Sequence, residues 1–290
     1  MYPPLLEVTI KPGRTITQVY QLLNQGETDL VITSRIVPFK PADEKGQVQL
    51  EEKQTSPAAD WFSFQNADLN LGDSFVLKAE GEQQIVLKIR IPEQTQEDDY
   101  YLTLLFESRP EFNLNQSAAQ AKIKIGTNLL LTVSETGEPP RKAELTEFKV
   151  QNAWFKIGSW QFLDSFTNPL FVLRLKNVGR SLFKPMGNLT VSGFSGQKYL
   201  LDLLPENILI DSTRQILCFS NDQGQPLPCR LNLGWKTKFL IGPYQAKTTF
   251  GLDKVAQDYS YSTYFFAFPF FLTFGLIFLL LFFWLMKKRG

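Results

Sequence analysis

Short segments in which hydrophobic and polar residues alternate follow one another through most of the chain ahead of its C-terminus. The clearest is QIVLKIRI at 84–91, which ends at Pro92. Other segments of this kind lie at 6–10, 16–23, 30–37, 100–106 and 121–133. A period of two is typical of half-buried β-strands, and turn residues separate the segments. Because no segment here has the period of a helix, the pattern predicts an immunoglobulin-like β-sandwich over residues 1–137.

A second group of such segments follows a stretch rich in proline, glycine and charge. The sequence SETGEPPRK at 134–142 has the composition of a linker, and we place the linker proper at 138–142. Residues 143–253 then contain further strand-like segments, which predict a second β-sandwich. The two regions share one pattern, VYQLLNQGETDLVI and VLRLKNVGRSLFKP, in which Asn-x-Gly separates two strands. This repeated hairpin suggests two sandwiches of related architecture.

The C-terminus carries a long apolar run without charge, from Phe265 to Met286. A run of this length spans the ~30 Å hydrocarbon core of a bilayer as a helix. We therefore predict a juxtamembrane stalk at 254–264 and a transmembrane helix at 265–286, with Trp284 where an aromatic belt forms. The predicted fold class is all-β, with two immunoglobulin-like β-sandwich domains in series plus one C-terminal transmembrane helix.

Three basic residues, Lys287, Lys288 and Arg289, follow the apolar run in a short tail at 287–290. The positive-inside rule makes this tail cytoplasmic and places the sandwiches outside the cell, on a single-pass protein of the cell membrane. Export of such domains needs a signal, so we expect that an N-terminal signal peptide was removed from the precursor. The alternative is a tail-anchored cytosolic protein, which would place the basic residues outside against this charge bias.

Charge and composition exclude several functions. The 30 Lys and Arg residues nearly balance the 29 Asp and Glu residues and are scattered, so we expect no nucleic-acid partner. The chain contains no histidine, which removes the commonest general base and the commonest metal ligand. No nucleophile–base pair, phosphate loop or metal cluster is recognisable. We therefore expect a non-enzymatic protein with no cofactor, no metal and no small-molecule substrate.

Two cysteines, Cys218 and Cys229, are separated by the turn-rich spacer FSNDQGQPLP. Two strands joined through such a loop place cysteines within bridging distance. In an oxidising exterior we favour a disulfide between them. The alternative is a pair of unpaired buried thiols.

Aromatic residues crowd the start of the second predicted sandwich, among them Trp154 and Trp160. Aromatic side chains on sandwich strands usually belong to the core. The alternative is an exposed aromatic surface on which a glycan or a protein partner packs.

The order of several motifs resembles one family of bacterial surface proteins. The segments are, in order, LEVTIKPG, WFSF, QIVLKIRIP, YYLTLLF, RLKNVGRSLFKPMGNLTV, DSTR and IGPYQA, followed by the apolar run and the basic tail. In this order they resemble the WxL-interacting proteins. The resemblance implies an N-terminal peptidoglycan-binding immunoglobulin-like domain, a second, host-binding β-sandwich and a membrane anchor. The N-terminal strand pattern is also similar to that of the pilus chaperones, which are soluble and have two immunoglobulin-like domains.

Three functions remain open at this stage. The first is non-catalytic attachment at the cell surface, with the membrane, a cell-wall polymer and/or surface proteins as partners. The second is an anchored, chaperone-like assembly factor that caps or donates edge strands for other surface subunits. The third is a tail-anchored cytosolic adaptor built from immunoglobulin-like domains.

Overall fold

A computed structural model describes residues 1–110, 122–219, 226–231, 239–253 and 259–289. The chain divides into two compact units, one of Met1–Pro140 with Arg180–Leu182 and the other of Arg141–Gly179 with Phe183–Gly290. Each unit is a β-sandwich of the immunoglobulin-like type, and the second continues into one C-terminal helix. The division after Pro140 falls within the predicted linker at 138–142.

The first unit consists of strands and one short 3-10 helix at Pro57–Trp61. Its strands are β1 (Leu5–Ile10), β2 (Thr15–Leu23), β3 (Leu30–Pro41), β4 (Val48–Leu50), β5 (Phe62–Phe64), β6 (Ser74–Leu77), β7 (Glu82–Arg90), β8 (Asp98–Pro110) and β9 (Ile123–Val133). One sheet has the order β1-β9-β8-β3-β4, with β6 also paired to β3, and the other has the order β2-β7-β5. Strand β1 runs parallel to β9, whereas the other described strand pairs of this unit are antiparallel.

The core of the first unit lies between the inner faces of its two sheets. Strand β7 buries Ile85, Leu87 and Ile89, and β8 buries Leu102 and Leu104. Successive side chains of a strand point to opposite faces, so the residues between those of β7 face outward. The alternation that predicts these strands is thus the same alternation that builds the core.

The second unit is also made of two facing sheets. Its strands are β10 (Ala143–Val150), β11 (Phe155–Ile157), β12 (Trp160–Asp164), β13 (Leu170–Asn177), β14 (Pro185–Gly193), β15 (Lys198–Asp202), β16 (Thr213–Gln215), β17 (Cys218–Phe219), β18 (Pro226–Leu227), β19 (Cys229–Arg230), β20 (Gly242–Leu252) and β21 (Tyr259–Phe268). The larger sheet has the order β11-β12-β21-β20-β14-β15. The facing sheet has the order β10-β13-β16, with β19 also paired to β13, and β17 pairs with β18 separately.

The repeated Asn-x-Gly pattern has the same local structure in both units. Asn24 and Asn177 are buried, and the side-chain oxygen of each accepts a hydrogen bond from the backbone N–H of the glycine two residues later. The side-chain amide of Asn177 also donates to the carbonyl of Ile208 at 2.9 Å. An asparagine that bonds its own turn in this way closes the turn locally. The expected hairpin is wrong, however, because the strands on either side of each turn, β2 with β3 and β13 with β14, belong to different sheets, so each turn connects one sheet to the other.

The region predicted as a stalk contains a strand, and this corrects the sequence-based boundaries at 253, 264 and 265. Strand β21 pairs with β20 on one side and with β12 on the other, so it lies inside the larger sheet. Phe265, predicted as the first residue of the membrane helix, is fully buried in the sandwich core. The sequence YSYSTYFFAF alternates inward and outward along this strand, but inward tyrosine and threonine conceal the period. A second domain ending at 253 would lack this strand.

The C-terminal helix α1 spans Phe270–Arg289, five residues later than the predicted start. Its segment Phe270–Lys288 has a mean hydropathy of 2.2 and is long and apolar enough to cross a membrane. Pro269 separates strand from helix because proline lacks an N–H for the sheet and disfavours helical geometry in the residue before it. The apolar run is therefore part strand and part helix.

Candidate partner-binding site

Strand β9 lies at the edge of a sheet for only part of its length. Strand β1 covers its outer edge from Asn128 to Val133, with Leu5 opposite Asn128. The chain then leaves β9, since Tyr2 exchanges two backbone hydrogen bonds with Gln21 of the other sheet, at 2.9 and 3.1 Å. No described residue pairs with the outer edge of β9 from 123 to 126. The unpaired N–H and C=O groups of such an edge can accept another strand.

Two isoleucines make the uncovered part of β9 apolar. Ile125 lies opposite the core residue Phe106. Ile125 itself is 39% exposed, whereas Phe106 is buried. Ile123 precedes Ile125 by two residues and is also exposed. Since alternate residues of a strand share a face, both isoleucines lie on the core side of the sheet. They come before Thr127, where the buried part of β9 begins, so the core does not cover them. The edge therefore presents backbone hydrogen-bonding groups together with two apolar side chains.

Ion pairs hold the opposite face of the same strand end. The Lys124 ammonium lies 2.7 Å from Glu52, and the Arg35 guanidinium lies 2.6 Å from Glu107. The hydrogen bond from Arg35 lowers the pKa of Glu107, and the one from Lys124 lowers the pKa of Glu52. Partly exposed pairs stabilise little individually, but a connected set fixes side-chain positions. The register of β9 on β8 places Ile123 and Ile125 on the other face of the strand.

Strand β9 matches the predicted segment at 121–133 within two residues at its start, but the sequence interpretation did not single out its two isoleucines. The signal was present in AKIKIGTNLLLTV, where apolar and basic residues alternate first and a nearly continuous apolar run follows. The continuous part is covered by β1 on its edge and by core on its face, whereas the alternating part is not. A change of pattern within one strand can therefore mark a change in its neighbours.

Cys218 and Cys229 form a disulfide in the structure, with their Cα atoms 4.9 Å apart and both residues buried. Cys218 lies opposite Leu227 across the short β17–β18 pair, and Cys229 lies opposite Phe171 of the core sheet. Residues 220–225 of the predicted turn spacer lie outside the described residues. The bridge therefore ties the β17–β18 pair to the core sheet.

Trp154 and Trp160 lie on the surface of the second unit and not in its core. Trp154 is 43% exposed and stacks on Phe270 of α1, with ring centroids 5.2 Å apart. Trp160 packs beside Tyr264 of β21 with ring centroids 5.5 Å apart. The usual core position of sandwich aromatics does not hold here, because Trp154 lies just before β11 and β12 presents Trp160 on the outer face of the sheet.

The far end of α1 carries the remaining predicted residues. Trp284 and Met286 are exposed on α1, and their predicted place in a membrane anchor stays a prediction. The Lys288 ammonium lies 5.2 Å from the centre of the Trp284 ring, a cation–π contact at the end of the apolar segment. Lys287 and Arg289 belong to the same last turns of the helix and not to a separate tail.

The chain matches no protein-family model and no curated protein. Among solved structures it is similar to the class 5 fimbriae chaperone CfaA, at 8% identity over 91% of this chain and 96% of that one, with a TM-score of 0.41. It is also similar to the E. coli chaperone DraB, at 12% identity over 89% and 94%, with a TM-score of 0.37. A PapD-like domain of human CEP192 gives 21% identity over 45% and 83%, with a TM-score of 0.28. At these TM-scores the likeness does not bear on function, and the fold assignment rests on the strand order given above.

Proposed function

We propose that this chain is a membrane-anchored, non-catalytic binding protein that captures an extended segment of an exported protein by strand addition to β9, and so acts as an assembly factor for surface subunits. The observation that carries the proposal is the edge at 123–126, which no residue in the described parts of the chain pairs, together with the exposed Ile123 and Ile125. An added strand gains affinity from backbone hydrogen bonds and specificity from alternate side chains. Both requirements are met at this edge.

The proposal places both sandwiches outside the cytoplasm. Its basis is the pair Lys287 and Lys288, followed by Arg289, at the C-terminal end of α1. Positive residues next to a membrane helix favour the cytoplasmic side. An assembly factor with this orientation would meet exported subunits at the membrane surface, before they join a larger structure.

The edge favours a polypeptide over a glycan as the ligand. The resemblance to WxL-interacting proteins implies that the first sandwich binds a cell-wall polymer. A row of free backbone N–H and C=O groups, however, is complementary to another backbone, and the two isoleucines fit apolar side chains at the same spacing of two residues. A surface or secreted protein is therefore the proposed partner, and cell wall is the competing ligand in the test.

The test uses the full chain with a photo-activated cross-linking residue at position 125 or, as control, at position 19. Val19 is a matched control because it lies on a strand of the same unit and is also 39% exposed. We expect a cross-link from position 125 to one exported protein, and none from position 19. That protein is then purified and its affinity is measured for the wild type, Ile125→Asp and Val19→Asp.

A charge placed at a buried apolar contact weakens binding by at least about tenfold, equivalent to ~1.4 kcal/mol, so Ile125→Asp should lose affinity while Val19→Asp should not. Hydrogen exchange should show new protection at 123–126 in the complex. Equal effects of the two substitutions would contradict strand addition at β9. Binding of purified cell wall that Ile125→Asp leaves unchanged, without any cross-linked protein, would favour the attachment function instead.

A further inference from the structure

The start of α1 is fixed to the second sandwich by backbone and carboxylate contacts. The Ser165 N–H donates a hydrogen bond, at 3.1 Å, to the carbonyl oxygen of Phe268, which is the last residue of β21. The carboxylate of Asp164 accepts from the N–H of Phe271 at 3.1 Å and from the N–H of Phe166 at 3.0 Å. Asp164 is fully buried, and a carboxylate at the positive end of a helix is stabilising. Only Pro269 separates strand from helix, so α1 leaves the sandwich without a flexible stalk.

Aromatic rings from the β11–β12 region surround this junction. Trp154 contacts Phe270 and also Phe271, whose ring centroid lies 4.9 Å away. Phe155 packs edge-on against Phe270, with centroids 5.6 Å apart. Trp154, Phe155 and Phe271 are nevertheless exposed. We call these three residues, with the exposed Ile157 of β11, the junction surface.

The length of α1 sets the depth at which this surface lies when the helix crosses a bilayer. The apolar part, from Phe270 to Met286, is about 25 Å long at ~1.5 Å per residue. The hydrocarbon core is ~30 Å thick, so the helix has no spare length and its first turn must lie at the hydrocarbon boundary. Rings that touch Phe270 and Phe271 then lie within a few ångström of that boundary. This is the depth at which tryptophan is enriched in membrane proteins.

We propose that the junction surface is a lipid-contacting face, which seats the second sandwich directly on the headgroup region of the bilayer. The inference rests on the membrane anchor of the proposed function and adds a second membrane contact to it. The occupant is thus a lipid bilayer, and a protein or glycan on the same rings is the competing outcome of the test.

The test measures the distance of individual tryptophans from lipid in the full chain, reconstituted in nanodiscs of phosphatidylcholine and phosphatidylglycerol. A fraction of the lipid carries a doxyl spin label near the headgroup end of its acyl chain, which quenches nearby indole emission. Three single-tryptophan proteins are compared, each with the other four tryptophans replaced by phenylalanine. They retain Trp154 as the test position, Trp284 as the marker of helix insertion, and Trp61, half-buried against Tyr100, as the background.

We expect Trp154 and Trp284 to lose emission and Trp61 to keep it. If spin-labelled lipid quenches the emission of Trp284 but quenches Trp154 no more than Trp61, the lipid-contacting face is overturned while the anchor stands. That result would favour a protein or a glycan as the partner of the junction surface. No loss at Trp284 would overturn the anchor and this inference together. Because multiple replacements can impair folding, the wild-type chain labelled with fluorotryptophan gives a second measurement. Its Trp154 resonance should broaden with the spin-labelled lipid, and an unchanged linewidth beside a broadened Trp284 resonance would again overturn the inference.

Discussion

Truncation of Phe265 gives the sharpest test of the second sandwich, because this residue separates the observed strand from the helix that the apolar run suggests. Its side chain is fully buried, stacks on Tyr244 at 5.0 Å and contacts Phe171 edge-on at 6.0 Å. Removing a buried phenylalanine side chain costs about 3–5 kcal/mol. The free energy of unfolding of a domain is only about 5–15 kcal/mol, so Phe265→Ala should remove a large share of it.

The adjacent residue supplies a matched control. Phe266 points to the outer face of β21 and is half-buried, with its ring 5.9 Å from that of Phe162. Phe266→Ala removes the same atoms from a partly exposed position, so we expect a loss of about 1–2 kcal/mol. Both changes carry the same loss of strand propensity, and their difference therefore measures burial.

The assay is urea unfolding of the full chain in detergent, followed by hydrogen exchange. Peptides from β13 and β20 report on the second unit, and peptides from β8 report on the first. With a denaturant slope of about 1–3 kcal/mol per molar, a loss of about 3–5 kcal/mol should lower the urea midpoint of the second unit by roughly 1–5 M in Phe265→Ala and leave that of the first unit unchanged. Equal, small effects of Phe265→Ala and Phe266→Ala would refute the burial of β21 and restore a membrane helix starting at 265.

Three further predictions concern single contacts. Asp164→Ala should destabilise the second unit by about 1–2 kcal/mol because two partly buried N–H groups lose their acceptor. Asp164→Asn keeps one acceptor oxygen and should lose less in the same urea assay. The hydrogen bond from Arg35 holds the pKa of Glu107 below its ordinary value of 4.5. The Arg35–Glu107 pair therefore stabilises the first unit above pH 4.5, and this stabilisation is lost as the pH falls below 4.5 and Glu107 becomes protonated. Melting temperatures of Glu107→Gln should therefore fall less steeply with acid than those of the wild type, and parallel curves would contradict the pairing. Protein isolated under non-reducing conditions should yield no free thiol on denaturation, and reduction should release two, from Cys218 and Cys229; two thiols before reduction would rule out the bridge.

The strands and the presence of an apolar terminal helix were predictable because their signals are local. The alternation in β7 appears directly in the sequence, since the buried Ile85, Leu87 and Ile89 are apolar and each is two positions from the next. The Asn-x-Gly turns were equally predictable, because the turn at Asn24 is closed by its own side chain, but the sequence did not show that each turn connects two sheets and not two paired strands. The apolar run after Pro269 is visible without any knowledge of the rest of the molecule.

The position of β21 could not be predicted, since its inward face carries polar groups that only distant partners accommodate. Thr263 is buried and accepts a hydrogen bond from the side-chain amide of Gln161, which lies 2.8 Å away and belongs to β12. Read alone, YSYSTY looks like a stalk and FFAF looks like the start of a helix. Pro269 was the one local sign that the run is divided.

Tertiary structure also decided which surfaces are available to partners. The sequence determines that β9 is a strand, but the pairing of Tyr2 with Gln21 decides that none of the described residues pairs with its edge at 123–126. The sequence likewise places Trp154 near the start of a sandwich, and only the contact with Phe270 brings it to the start of α1. The physical reason is that side-chain periodicity along a strand indicates which residues face inward. Whether a strand edge or a surface ring is exposed depends instead on which distant residues of the chain pack against it.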